Sequence, residues 1–214
     1  MADVATVAPG IDPPKLPDIL KAAWNTFRSH TQILVAAAAI FLGASVLLAV
    51  ILNLVSGALG WFLTIFLSIS SFAPSLLLLP GLYAISLKCV RNQKAEIRDL
   101  FIMFQGRFVH HLGILLVQSC GAFVCLIGVV VTQAFFVPGS FLVIDRRMDW
   151  DGALQTCVEN IKPKVVPWVL FSLALSIVAF AGFFAFVVGS LVTVPVALCA
   201  WAHAYEQCFA QKRS

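Results

Sequence analysis

Charge is what this chain has least of. Only 11% of its 214 residues are Asp, Glu, Lys or Arg, against roughly 25% in an ordinary soluble domain. Three stretches, 29–87, 108–144 and 165–205, contain none of these residues. That poverty excludes a water-soluble globule, because too little polar surface exists to coat one. Chemical motifs are missing as well. No nucleophile with a base, no paired carboxylates, no His-Glu metal motif and no phosphate-cradling glycine loop is found. Neither catalysis nor a metal or cofactor is expected. Cys89, Cys120, Cys125, Cys157, Cys199 and Cys208 show no zinc-ligand spacing and read as small apolar residues, not as a disulfide framework.

Apolar residues are what the chain does have: 61% hydrophobic, with mean hydropathy +0.98. A helix crossing about 30 Å of hydrocarbon needs about 20 residues. The stretches 29–87 and 165–205 each hold two such spans, turning near Asn53–Gly60 and Gly182–Gly189. The stretch 108–144 is tighter, and one kinked span competes there with two short ones that turn near Ser119, Cys120 and Gly121. The 14 cations decide between them. They fall into four groups: Lys15, Lys21 and Arg28; Lys88, Arg91, Lys94, Arg98 and Arg107; Arg146, Arg147, Lys162 and Lys164; Lys212 and Arg213. Six spans put every group on one side, as the positive-inside rule requires, whereas five spans erase the bias. Both termini are then cytoplasmic, in the cell (inner) membrane. The polar segment before Ile33, with Pro13 and Pro14, suits a first span acting as its own uncleaved signal. The net charge of +4 reads as headgroup attraction and orientation, not nucleic-acid binding.

An internal repeat agrees with this count. Ile19, Leu20, Ala23, Trp24 and Phe27 follow the spacing i, i+1, i+4, i+5, i+8. Ala153, Leu154, Cys157, Val158 and Ile161 repeat it, and Leu100, Phe101, Phe104 and Phe108 keep four of the five places. The pattern predicts three short amphipathic helices over 17–29, 98–108 and 151–162. Each opens with an acid, Asp18, Asp99 or Asp151, placed to cap free N–H groups. Each second span carries a proline: Pro80 with Gly81, Pro138 with Gly139, and Pro195 followed by valine. The prolines predict a bend or a break. The unit is an interfacial helix, a span and a proline-bearing span, used three times about a pseudo-threefold axis.

The fold class expected is therefore an all-α integral membrane protein of six transmembrane helices in three hairpins, each preceded by an interfacial helix. Its parts are a flexible cytoplasmic tail 1–14, one membrane domain 15–209 built of units 15–87, 97–145 and 150–208, and a cytoplasmic tail 210–214. Lipid headgroups are assigned to Lys21, Arg28, Arg98, Arg107, Arg146, Arg147, Lys162 and Lys164. Trp24, Trp150, Trp168 and Trp201 are assigned to an aromatic belt at the boundary.

The run Leu79-Pro80-Gly81-Leu82-Tyr83, then Arg91-Asn92 and Arg98-Asp99-Leu100-Phe101, resembles uncharacterised bacterial six-helix membrane families. It is similar to the membrane-anchor domain fused to some glycerophosphodiester phosphodiesterases. Val137-Pro138-Gly139 and Trp150-Asp151-Gly152-Ala153-Leu154 extend the likeness. Asn92 and Gly152 depart from it, standing where glycine and glutamate are usual, and Cys157 stands where serine is common. The resemblance implies fold and membrane location and no catalytic residue.

The function expected is non-enzymatic: a protein that engages or organises lipid, or a subunit for a membrane partner or a second copy of itself. The competitor is a small transporter or channel for an apolar or amphiphilic solute. Its polar stripe would have to come from Asn53, Ser68, Ser70, Ser71, Ser75, Gln118, Thr132 and Gln133, which is sparse.

Overall fold

The structure, a computed structural model, describes residues 11–59, 73–104, 126–184 and 186–210. Helices and turns account for the regular structure there. Helix α1 (Leu16–Ser29) starts with Pro17 and Asp18 in its first turn. A single residue, His30, separates it from α2 (Thr31–Leu59), and the His30 N–H donates back to Thr26 O and Phe27 O. Helix α3 (Ala73–Val90) leads to a short 3-10 helix, Ile97–Phe104. Helix α4 (Leu126–Asp145) is followed by α5 (Trp150–Ile161), a 3-10 turn Lys162–Lys164, α6 (Val165–Phe184), α7 (Phe186–Tyr205) and a wider last turn, Glu206–Ala210.

Two runs, Thr31–Ile51 and Trp150–Gly182, are long and apolar enough to cross a membrane by length and composition, while Leu78–Val90 and Val130–Asp145 are shorter apolar helices. Six crossings are thus not all present among the described residues. The first span of the middle hairpin and its turn, with His110 and His111, lie outside them.

Helices α3, α4 and α7 pack against one another in pairs. They are the three proline-bearing helices, and residues 80–87, 137–143 and 195–202 are buried throughout. Helices α2 and α6 lie outside this bundle. Val46, Leu47, Val50 and Ile51 on α2, and Val166, Leu170, Leu173 and Ile177 on α6, are exposed.

Each inner helix also carries one short helix. The 97–104 helix packs on α3, α5 packs on α4, and α1 packs on α7. The first two pairs are neighbours in sequence. The third joins the end of the chain to its beginning and closes the ring. Thr26 Oγ1 and His203 Nε2, 2.9 Å apart, form a polar tie across that closure.

The first and third short helices, Leu16–Ser29 and Trp150–Ile161, lie within a residue of the 17–29 and 151–162 expected, and the second is described from Ile97 to Phe104 as a 3-10 helix, so its expected end at 108 lies outside the described residues; the apolar stripes are split. Ile19, Ala23 and Phe27, and Ala153, Cys157 and Ile161, are buried against the protein, as is Leu100. The next position round the helix faces outward: Trp24 is 46% exposed, Phe101 46% and Val158 43%. One residue further along a helix turns the side chain by about 100°, so one sequence stripe serves two surfaces. Phe104, Arg107 and Phe108 fall outside the described side chains. The corner expected after 151–162 is not a break, because Ile161, Lys162 and Val165 keep right-handed helical torsions.

Each proline lies inside a continuous helix, so the breaks that the sequence allowed are not found. Gly81 has another task. A Cβ there would stand 2.2 Å from Leu100 O and 2.4 Å from Leu100 Cα. The missing side chain lets the 97–104 helix rest directly on the α3 backbone. Helix α3 ends in a Schellman turn: Gln93 N donates to Lys88 O at 2.8 Å, and Asn92 N to Cys89 O at 3.1 Å. Asn92 takes the required left-handed conformation, φ 53, which Asn tolerates better than most residues.

Candidate functional site

At the charged end of the inner bundle, Arg91 ties the three units together. It leaves the end of α3 and makes a paired contact to Asp145 at the end of α4, Nη1 to Oδ1 at 2.5 Å and Nη2 to Oδ2 at 2.8 Å. Its Nε donates to Glu206, just beyond α7. Tyr205 O–H donates to Asp145 Oδ2 at 3.0 Å. The fork of a guanidinium matches a carboxylate in two parallel bonds, which fixes geometry as well as charge. These bonds, to Asp145 first, raise the Arg91 pKa against the opposing effect of partial burial. Arg146 and Arg147 follow Asp145 directly in sequence, yet its paired contact goes to Arg91. Neighbouring helical residues point apart, so Asp145 turns inward to Arg91 while Arg146 reaches the carbonyl of Phe209. The signal available in the sequence was the register of the repeat, which brings the three helix ends together.

Beneath this cluster runs an arc of rings. Tyr83 meets Phe141 at 5.1 Å between centroids, Phe141 meets Tyr205 at 5.3 Å, and Tyr205 meets Phe209 at 6.0 Å. Phe209 then meets Trp168 at 6.1 Å, Trp168 meets Phe171 at 6.0 Å, and Phe171 meets Trp201 at 5.4 Å. Trp168 and Trp201, expected at the lipid boundary, are therefore core residues, fully buried and 6% exposed. Trp168 faces the bundle because its N–H finds a partner there, the Ile11 carbonyl at 2.8 Å. Trp24 and Trp150, 46% and 39% exposed, are the two placed on the surface.

The segment 11–15 lies across this arc. Asp12 pairs with Lys164, and its carbonyl accepts from Cys208 Sγ at 3.6 Å. Burial, with the Asp12 charge adding to it, pushes the Cys208 thiol up to about 12.

No known protein family, curated protein or solved structure matches this chain. The site must therefore be read from its own geometry.

That geometry sorts the cations assigned to headgroups. Lys164 and Arg146 are engaged by the protein's own oxygens, as are Arg91 and Lys88, the last pairing with Asp99 at 2.7 Å. Lys21, Arg28, Arg98 and Lys162 are exposed and meet no carboxylate among the described residues. Arg147 is exposed too, on a left-handed backbone with φ 54. The free set belongs to the three short helices and their ends, beside the outward Trp24, Phe101 and Val158. Arg107 lies outside the described residues. Asp99 is the acid that caps, accepting from Glu96 N at 2.9 Å. Asp151 accepts from the Gln155 side chain instead.

Proposed function

We propose that this chain is a non-enzymatic integral membrane protein that engages anionic lipid through the rim formed by its three short helices. The full proposal keeps six spans in three hairpins, both termini in the cytoplasm of a cell with an inner membrane, and kinship with the six-helix anchor families. The outward face of α2 and α6 supports a membrane setting. In water, an outer helix face of this kind would be polar.

The observation that carries the lipid reading is the sorting of the cations. Those that build the protein are paired. Of those left over, Lys21, Arg28, Arg98 and Lys162 are exposed on the short helices or at their ends, near the exposed Trp24, Phe101 and Val158. An apolar residue next to a free cation is the arrangement that meets acyl boundary and phosphate together. The tight inner bundle speaks against a conduit as the first reading, since its helices are buried along residues 80–87, 137–143 and 195–202.

The test is lipid preference in nanodiscs. Neutralising Lys21, Arg28, Arg98 and Lys162 to Gln together weakens binding of anionic lipid by up to about 1 kcal/mol per charge. The loss shrinks as salt rises, because headgroup attraction is screened. Equal affinity for anionic and zwitterionic lipid, unchanged in the quadruple variant, would reduce these helices to plain anchors.

A further inference from the structure

A cavity of about 210 Å³ opens between α3, α4, α6 and α7. It exceeds the roughly 150 Å³ of an apolar cavity that admits benzene. Most of its wall is aliphatic, with Leu79, Val137, Leu175 and Leu198 among the lining residues. Phe180, which also lines it, is 62% exposed on the outer face of α6. The cavity therefore reaches the surface that the lipid reading gives to acyl chains.

Its polar groups are few, and they are mostly donors. Ser176 Oγ donates to Gln133 Oε1 at 2.9 Å. That bond uses one lone pair of the amide oxygen, and the Gln133 Nε2 hydrogens remain donors. The Trp201 indole can only donate. Tyr83 is 5% exposed and lines the same space, yet its hydroxyl has no hydrogen-bond partner among the described residues. Ring contacts on one side of the cavity, Tyr83 with Phe141 and Trp201 with Phe171, hold both rings in place. A hydroxyl that opens on the cavity can donate to a ligand oxygen placed there. Tyr83 precedes Arg91 by eight residues, which at 1.5 Å per residue puts the cavity about 12 Å inside the ion cluster.

We infer that this cavity is a binding site for an acyl chain bearing a carbonyl. The carbonyl oxygen accepts from Tyr83 and Gln133, and the chain lies along Leu79, Val137, Leu175 and Leu198. The ester of a glycerolipid and the carboxyl of a free fatty acid offer this same chemistry. The inference rests on the membrane reading above, but not on the cationic rim.

The experiment uses the full chain in nanodiscs with three photoreactive diazirine probes: a phosphatidylcholine labelled in one acyl chain, a free fatty acid and a plain alkane. Crosslinks are mapped by mass spectrometry. Both carbonyl-bearing probes, or one of them, should label residues 175–180 and 194–201 above the alkane, and which does so identifies the source. Tyr83→Phe and Gln133→Leu should each lower that labelling by about fivefold, the worth of one hydrogen bond. Ala197→Phe, which fills the space, should abolish it. Tyr83→Phe removes one oxygen and keeps the ring, so a melting temperature near that of the parent makes its result decisive even if Ala197→Phe does not fold. The quadruple rim variant should keep the labelling. Labelling confined to the outer faces of α2 and α6 would overturn the cavity site and leave the membrane reading standing. So would cavity labelling that the alkane matches or that both polar variants leave unchanged. Failure of the protein to enter nanodiscs would overturn both.

Discussion

Arg91 shows how one residue can hold three packed helices that lack matching chemistry. The three inner helices end in different residues, and one guanidinium reaches the two acids contributed by the other units. Asp145 has a side chain only 10% exposed, and Glu206 is 27% exposed. Removing the cation takes the paired contact from Asp145 and the bond from Glu206, and leaves two carboxylates close together. Arg91→Met is expected to lower stability by about 2–3 kcal/mol, at or just below the roughly 3–5 kcal/mol for breaking a fully buried pair, because the cluster is partly wet. Adding Asp145→Asn and Glu206→Gln to that variant should recover most of the loss, since the uncompensated charges go with them. Thermal unfolding of the three proteins in detergent checks this, and a triple variant no better than Arg91→Met would refute it.

At the scale of the element, glycine positions separate packing from propensity. Gly81 lies under the 97–104 helix, and an added methyl would collide with backbone, which cannot swing aside as a side chain can. Gly81→Ala should therefore cost at least the 1–3 kcal/mol typical of overpacking. Gly43 on α2 has nothing within 4 Å of an added Cβ. Gly43→Ala should be neutral or stabilising by up to about 1 kcal/mol, the difference in helix propensity. Melting temperatures of the pair test whether Pro-Gly on α3 serves close approach. Equal effects at both positions would mean that it does not. The same contrast explains the short helices. A sequence stripe five residues strong looks like one lipid-facing surface, but packing takes Ile19, Ala23 and Phe27 inward, half-buries Leu20 and leaves Trp24 outside.

For the whole molecule, the closed ring gives the repeat its physical meaning. Each short helix is an amphipathic piece that cannot bury its apolar edge alone, and each is covered by an inner helix. The last inner helix, α7, is covered by α1, the short helix most distant from it in the described sequence. Under the proposed topology all three short helices share one side of the membrane. A cysteine placed at the exposed Arg147 should then react with an impermeant maleimide in inverted vesicles and stay unlabelled in intact cells. Labelling from outside the cell would remove the six-span topology, because the middle hairpin would then cross an odd number of times.

The sequence by itself determined the helical class, the ends of the first and third short helices and the positions of the inner-helix prolines. These follow from local rules: an uncharged run, a spacing of four, a residue without an N–H. Tertiary structure alone decided which cations are free and which tryptophans face outward. Arg146 and Arg147 are adjacent in sequence, yet one is tied to Phe209 and the other is exposed. Trp24 and Trp168 both stand near basic clusters, yet the second is buried because a carbonyl from residue 11 waits for its N–H. Partners of that kind come from segments more than 50 residues away, and no local pattern carries them. Tyr83 and Trp201 likewise become two walls of one cavity only when α3 and α7 meet, which is a property of packing and not of spacing.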